Sequence, residues 1–275
     1  MTAVSPIRVC IAGAGGRMGQ ALLEGVRADA RFALASALDV AGSPALGREV
    51  GLAAGRDDGV PITSDIDAGV AAAGVLIDFT RPAGTLVHLD ACARRGIAAV
   101  VGTTGLDDAD KRALHDYGKR IPIVFAANMS VGVNVLLSLV EDAARALGSG
   151  FDIEIVEMHH KHKVDAPSGT ALRLGEAAAA GLGRKLEDIL VPARHGITGE
   201  RKDGTIGFAA LRGGDVVGEH TVLFASEGER IEITHRATSR KLFVAGALRA
   251  AAFVAEKRAR GETGVFDMPD VLGLR

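Results

Sequence analysis

The sequence predicts an α/β chain built in two parts: a parallel sheet wrapped by helices, then a smaller α+β unit. Three observations carry this. Through the first half, short uninterrupted apolar runs alternate with helix-length segments, as strands buried on both faces do. A glycine cluster, Gly13 to Gly19, directly follows the first of those runs and opens the first helix. Beyond Gly148 the pattern changes to strands joined by glycine-containing turns, which reads as antiparallel pairing.

Taken in order, Ile7 to Ala12 is the first strand, and Arg17 to Arg27 the helix after the glycines. Phe32 to Leu38 is a second strand ending at Asp39. Ala41 to Asp67, rich in Gly, Pro and Asp, reads as the least regular part of this half. Val75 to Phe79 is a third strand, and Pro82 suits the first turn of a helix running to about Arg95. Ala98 to Val101 and Ile121 to Phe125 are further buried strands, separated by a polar helix from Asp107 to Arg120.

A longer helix, Val131 to Leu147, ends at Gly148-Ser149-Gly150, which places a domain boundary near residue 130. Phe151 to Met158 reads as a strand whose apolar alternation is broken by Glu157, and a bulge there or a turn toward a binding site would account for the break. Ser168 to about Ala180 is a helix. Thr205 to Arg212, Asp215 to Ala225 and Glu229 to Thr238 are strands, with hairpin-like joins at Arg212-Gly213-Gly214-Asp215 and Ser226-Glu227-Gly228-Glu229. A last helix, about Arg240 to Arg258 with Ser239 as a cap, is assignable to either half from the residues alone.

Composition narrows the function. With 275 residues, 48% apolar and 24% charged, the chain can bury real cores. A formal charge of −2 and the lack of Trp give no footing for nucleic acid. No apolar run reaches the roughly 18 residues needed to span a bilayer, and Met1 to Pro6 lacks a signal-peptide pattern, so a cytoplasmic protein is expected. Cys10 and Cys92 lie outside any metal-ligand spacing, and Cys10 reads as a small buried hydrophobe.

Gly13-Ala14-Gly15-Gly16-Arg17-Met18-Gly19 sits where a strand turns into a helix, and its glycines would let a pyrophosphate approach the backbone. The spacing departs from strict G-x-G-x-x-G. Asp39, at the end of the second strand, stands where a carboxylate would bond ribose hydroxyls. Gly102-Thr103-Thr104-Gly105 and Ala126-Ala127-Asn128-Met129-Ser130 also leave strand ends on the edge where open parallel sheets bind ligands.

The second signal is Glu154 to Ala171. Five consecutive basic or imidazole side chains, His159 to Lys163, precede a helix start at Ser168, and the first amides of that helix, at Gly169 and Thr170, suit an anion. A solvated loop would explain the charges but not the Pro-Ser-Gly-Thr continuation. A metal site on His159 and His162 is disfavoured by the interleaved Lys161 and Lys163, so no metal is expected.

These motifs, with Asp78-Phe79-Thr80-Arg81-Pro82 and Phe266-Asp267-Met268, resemble the dihydrodipicolinate reductase family over nearly the whole length. The run from Glu154 to Ala171, with His159-His160, Lys163, Asp165 and Pro167-Ser168-Gly169-Thr170-Ala171, is the most specific match. The resemblance implies a Rossmann-type dinucleotide-binding domain over 1–130, completed by 240–275, and a central α+β domain over 131–239 for substrate binding and oligomerisation. It implies a homotetramer that uses NADH or NADPH to reduce 4-hydroxy-tetrahydrodipicolinate, a small dicarboxylate, in diaminopimelate and lysine biosynthesis.

Residue by residue, the resemblance makes His159 the proton donor/acceptor and Lys163 a proton donor. His160, Gly169 and Thr170 become substrate contacts. Gly13, Ala14, Gly15, Gly16, Arg17, Met18, Asp39, Gly102, Thr103, Thr104, Ala126, Ala127, Asn128 and Met129 become cofactor contacts, with Arg81 close by. Some members follow the ribose-binding acid with an Arg; here Val40 follows Asp39, so NADH is expected to serve at least as well as NADPH. The other readings are a dehydrogenase for a different small dicarboxylate and a non-catalytic dinucleotide sensor. A sensor has no need of proton donors beside an anion cradle.

Overall fold

The computed structural model describes residues 5–50 and 59–274. Residues 1–4 and 51–58, which include parts of the N-terminal segment and of the Ala41 to Asp67 stretch, lie outside the described residues. Contacts divide the chain into two compact units, one running to Met129 and resuming at Lys241, the other from Ser130 to Arg240.

The first unit alternates strand and helix: β1 (Ile7–Ala12), α1 (Arg17–Ala28), β2 (Phe32–Leu38), β3 (Ile62–Thr63), α2 (Ile66–Ala71), β4 (Val75–Asp78), α3 (Pro82–Arg95), β5 (Ala98–Val101), α4 (Asp108–Gly118) and β6 (Pro122–Phe125). The strands pair in the order β12-β6-β5-β4-β1-β2-β3, where β12 (Gly264–Phe266) comes from the C-terminal end, and every pairing is parallel. Short β3 lies inside the Ala41 to Asp67 stretch, whose composition suggests irregular structure, and α2 begins at its end. Alternation sorts the sheet's side chains: Cys10, Ala12, Leu76, Ala99 and Ile123 join Leu89 and Leu114 in one core. On the other side lies α7 (Lys241–Ala259), which packs on α1, β4, β5 and β6. The short α8 (Met268–Leu272) ends the chain's regular structure. Cys10 and Cys92 are buried free thiols, and burial pushes the Cys10 thiol up to about 12.

The chain leaves β1 towards β2 on one side, and β4 lies on the other. The carboxyl ends of β1 and β4 therefore flank the point where strand order reverses, the place where such sheets bind ligands.

The second unit holds α5 (Val131–Leu147), β7 (Asp152–His159), α6 (Gly169–Gly181), β8 (Leu190–Val191), β9 (Ile206–Arg212), β10 (Gly218–Ser226) and β11 (Glu229–Ala237). Its sheet runs β11-β10-β7-β9-β8 and is mixed, because β7, β8 and β9 pair in parallel while β10 runs against β7 and β11. Of the two expected hairpins, the one joining β10 and β11 forms. The other, at Arg212 to Asp215, does not, because β7 lies between β9 and β10. That connection instead crosses the end of β7 and is tied to it by backbone hydrogen bonds. Gly213 N–H donates to His159 O at 2.9 Å, and His160 N–H donates to Val216 O at 2.8 Å.

No bulge occurs at Glu157. Strand β7 alternates regularly, and Ile153, Ile155, Glu157 and His159 all point to the buried face. Across the sheet this face reads in rows. Ile153 stands beside Phe224 and Ile231, and Ile155 beside Val222 and Ile233; then Glu157 stands beside His220 and His235. The apolar rows pack with Leu136, Val140, Leu174 and Ala178 of α5 and α6. The polar row begins where that core ends. Both helices start at this end: Gly132 in the first turn of α5 lies against the His235 ring, and Ser168 at the start of α6 meets His220.

Candidate active site

In the first unit the glycine loop is shaped by close approach. Gly13 has φ +73°, a conformation favouring glycine, and Ala14 N–H bonds Leu38 O at 2.9 Å. A Cβ on Gly15 would collide with Asp39 Oδ2 and Ala45, and one on Gly19 would collide with the Gly13 backbone. Gly16 precedes α1 as its cap, Arg17 is exposed in the first turn and Met18 is half-buried. The loop is thus a bare backbone at a helix start, a form that fits a pyrophosphate. Asp39 faces it, accepting hydrogen bonds from Gly15 N–H at 3.0 Å, Val40 N–H at 2.8 Å and Ser43 Oγ at 3.0 Å.

A network not foreseen from the sequence lies beneath the neighbouring loops. Asp78, fully buried at the end of β4, accepts from Thr80 N–H at 2.7 Å and Thr80 Oγ1 at 2.6 Å, and pairs with His88 Nδ1 at 2.8 Å. Thr85 and Thr103 hydroxyls bond at 2.7 Å. Gly102 is packed against the Phe79 ring, Thr103 is buried, and Thr104 is exposed. Ala126 N–H bonds Val101 O at 3.1 Å; Ala127 is exposed, Ala126 and Asn128 are half-buried, and Met129 is buried. Only the position of Asp78 within its motif hinted at this network.

In the second unit the expected residues gather at the end of β7. His159 is 9% exposed, and its Nδ1 lies 2.6 Å from Glu157 Oε2. Glu157 is 1% exposed and is also held by Arg212, Nη1 to Oε2 and Nη2 to Oε1, both at 2.8 Å, and by Ser168 N–H at 3.1 Å. Burial pushes the Glu157 carboxyl up, but the bonds from Arg212 and His159 outweigh it and hold it below its ordinary value. The same carboxylate raises the Arg212 guanidinium further.

Lys163 Nζ bonds Asp165 Oδ1 at 2.8 Å, and His160 is half-buried. Lys161 and His162 are exposed. Ser168 caps α6, its Oγ accepting Ala171 N–H at 3.2 Å while lying 3.1 Å from His220 Nε2. Gly169 is exposed, and a Cβ there would meet nothing within 4 Å, so a ligand has room at this helix start. His220 stacks edge-on to His159 at 5.1 Å, and burial, then His159, lower it to about 4.

Glu157, Arg212, Ser168 and His220 therefore belong to the site beside the expected residues. The broken apolar alternation at Glu157 and the cap at Ser168 were visible signals; nothing near Arg212 in sequence marked it. Among the described residues no cluster of His, Cys, Asp and Glu could hold a metal ion, and no helix is long and apolar enough to cross a membrane.

Comparison with known proteins adds to this geometry. Residues 7–129 match the family described as dihydrodipicolinate reductase, N-terminus, and residues 132–272 its C-terminus. The 4-hydroxy-tetrahydrodipicolinate reductase of Burkholderia multivorans is 58% identical over 98% of this chain and 100% of its own length. That of Cupriavidus pinatubonensis is 56% identical over the same shares. Among solved structures, the dipicolinate-bound dihydrodipicolinate reductase from Paenisporosarcina sp. TG-14 has the same fold, with a TM-score of 0.73 at 23% identity, covering 95% of this chain and 97% of that one.

Proposed function

The chain belongs to the dihydrodipicolinate reductase family, and from that premise we propose how its residues divide the work. It is an NAD(P)H-dependent oxidoreductase that reduces 4-hydroxy-tetrahydrodipicolinate to tetrahydrodipicolinate, releasing water, in diaminopimelate and lysine biosynthesis. The cofactor, when bound, supplies the hydride.

We assign cofactor binding to 1–130 with 240–275, and substrate binding and oligomerisation to 131–239. Gly13 to Met18 hold the pyrophosphate on bare backbone, and Asp39 takes the ribose hydroxyls. Gly102 to Thr104 and Ala126 to Met129 border the remainder of the cofactor. The clash that any Cβ on Gly15 would make with Asp39 supports this, because the loop and the acid are shaped around each other.

His160, Gly169 and Thr170 hold the substrate carboxylates, one imidazole and two amides at the start of a thirteen-residue helix. His159 and Lys163 manage the proton that must balance hydride addition, and an ammonium or imidazolium beside the bound anion can deliver it. The observation that carries this reading is His159 fixed by a buried carboxylate next to the open start of α6. We further assign the protein as a cytoplasmic homotetramer; Leu211 on β9, a large apolar side chain left exposed in register with Met158 and so on the face opposite Glu157, supports a partner surface on this unit.

The test is direct. The protein is mixed with NADH and the condensation product of pyruvate and aspartate semialdehyde, and NADH oxidation is followed by its ultraviolet absorbance. Oxidation in the wild type and its loss in His159→Gln and Lys163→Ala are expected. Unchanged turnover in both variants would overturn the site assignment.

A further inference from the structure

Among the described residues, Asp78 and Glu157 are the carboxylates buried from solvent. Such a group is costly unless its oxygens are well partnered, so its partners show what it is for. Every partner of Glu157 leads to the site. Oε2 takes His159 Nδ1 and Arg212 Nη1, while Oε1 takes Ser168 N–H and Arg212 Nη2. Arg212 Nη2 continues to Asp165 O at 2.6 Å, and the Asp165 carboxylate in turn holds Lys163 Nζ. One carboxylate thereby connects the proton-handling imidazole, the residue that opens the anion-binding helix and the loop that carries Lys163.

We propose that Glu157, oriented by Arg212, is a positioning residue for the reduction. It keeps the proton of neutral His159 on Nδ1, leaves Nε2 for exchange with substrate and favours the imidazolium when it forms. A carboxylate accepting from Nδ1 fixes the tautomer in this way wherever an imidazole transfers protons through its other nitrogen. Space for Nε2 is provided by Gly218, where a Cβ would stand 3.0 Å from that atom. The charged and titratable groups around the ring are Glu157 on its own strand, Arg212 on β9, His220 on β10 with His235 beyond it, and Lys163 and Asp165 on the loop after β7. Of these, Glu157 and Arg212 act with opposite sign on the imidazolium. This inference rests on the assignment of His159 to proton transfer.

The test compares Glu157→Gln, Glu157→Asp, Arg212→Met and His159→Gln. Turnover, substrate KM, NADH affinity, thermal stability and the pH dependence of the rate are measured for each. Glu157→Gln should lower kcat about 10- to 100-fold, less than the roughly 10²–10⁴ of a direct proton-transfer group, with NADH affinity unchanged. The limb of the pH profile that disappears in His159→Gln should move to lower pH in Glu157→Gln, because an anion beside the ring is gone. Arg212→Met should move it to higher pH, and Glu157→Asp should restore its place. A purely structural carboxylate would change thermal stability alone.

A slow His159→Gln beside a Glu157→Gln enzyme with normal kcat and an unmoved limb overturns this inference only. Wild-type turnover in His159→Gln overturns the proton-transfer assignment and this inference with it. Should Glu157→Gln not fold, the sign of the Arg212→Met shift decides, and a shift to lower pH or none counts against the proposal.

Discussion

Asp39 Oδ2 accepts the backbone N–H of Gly15 at 3.0 Å, so the acid at the end of β2 and the glycine loop after β1 form one structural unit. Two more donors, Val40 N–H and Ser43 Oγ, hold the carboxylate in place. An anion fixed there accepts from free ribose hydroxyls and repels a 2′-phosphate, and the next side chain, Val40, is 72% exposed and carries no compensating charge. The enzyme should therefore use NADH at least as well as NADPH. Comparing kcat/KM for the two cofactors checks this, and a preference for NADPH of about a hundredfold or more, nearly 3 kcal/mol of transition-state discrimination, would refute it.

The same relationship makes Gly15→Ala informative. The new methyl would fall on Asp39 Oδ2 and the Ala45 side chain, so the loop and the acid must separate. NADH affinity should fall at least about tenfold, and stability should drop by about 1–3 kcal/mol, the usual cost of overpacking. Fluorescence titration with NADH and chemical denaturation measure the two effects. Wild-type affinity in this variant would mean that the cofactor does not use the loop.

Lys163→Ala should lower kcat by about 10²–10⁴ while NADH still binds. The ammonium is held by Asp165 in the loop that Arg212 anchors, so removing it deletes the proposed proton donor without touching the glycine loop. Pre-steady-state mixing with NADH and substrate separates binding from turnover. Near-normal kcat would take Lys163 out of the mechanism.

Much of this was legible in the chain because the signals were local. Gly13 to Gly19 between a strand and a helix, Pro82 at a helix start and Ser168 before Gly169 each act within one turn of backbone. What escaped was set by pairing across the sheet. The turn at Gly213-Gly214 has hairpin chemistry, yet β7 inserts between its two strands, a choice made by long-range pairing and not by the turn residues. Glu157 interrupts an apolar alternation and suggests a bulge, whereas the strand stays regular because Arg212, 55 residues away, neutralises the buried carboxylate. The pairing of Asp78 with His88 was likewise hidden, since ten residues and a helix start separate them.

His220 gives a prediction about stability and pH. Its ring is buried against Ser168 and His159, and burial lowers it from 6.5 to about 4. Between those values the unfolded chain binds a proton that the folded protein refuses. Unfolding is therefore favoured increasingly as pH falls from about 6.5 towards 4, whereas above 6.5 the ring is neutral in both states and the full stability is present. The loss assigned to this one ring is about 2–3 kcal/mol across the window. Glu157 acts lower down: its carboxyl is held below the ordinary 4.5, so its contribution is complete above 4.5 and is lost as pH falls from there through the lower folded value. His220→Gln keeps a polar partner for Ser168 Oγ but cannot titrate. Its stability in urea should decline less than the wild type's between pH 6.5 and 4, and the two curves should run parallel on either side. His235, also lowered by burial, contributes equally to both proteins. Curves that stay parallel through the whole window would show that His220 takes up its proton as readily folded as unfolded.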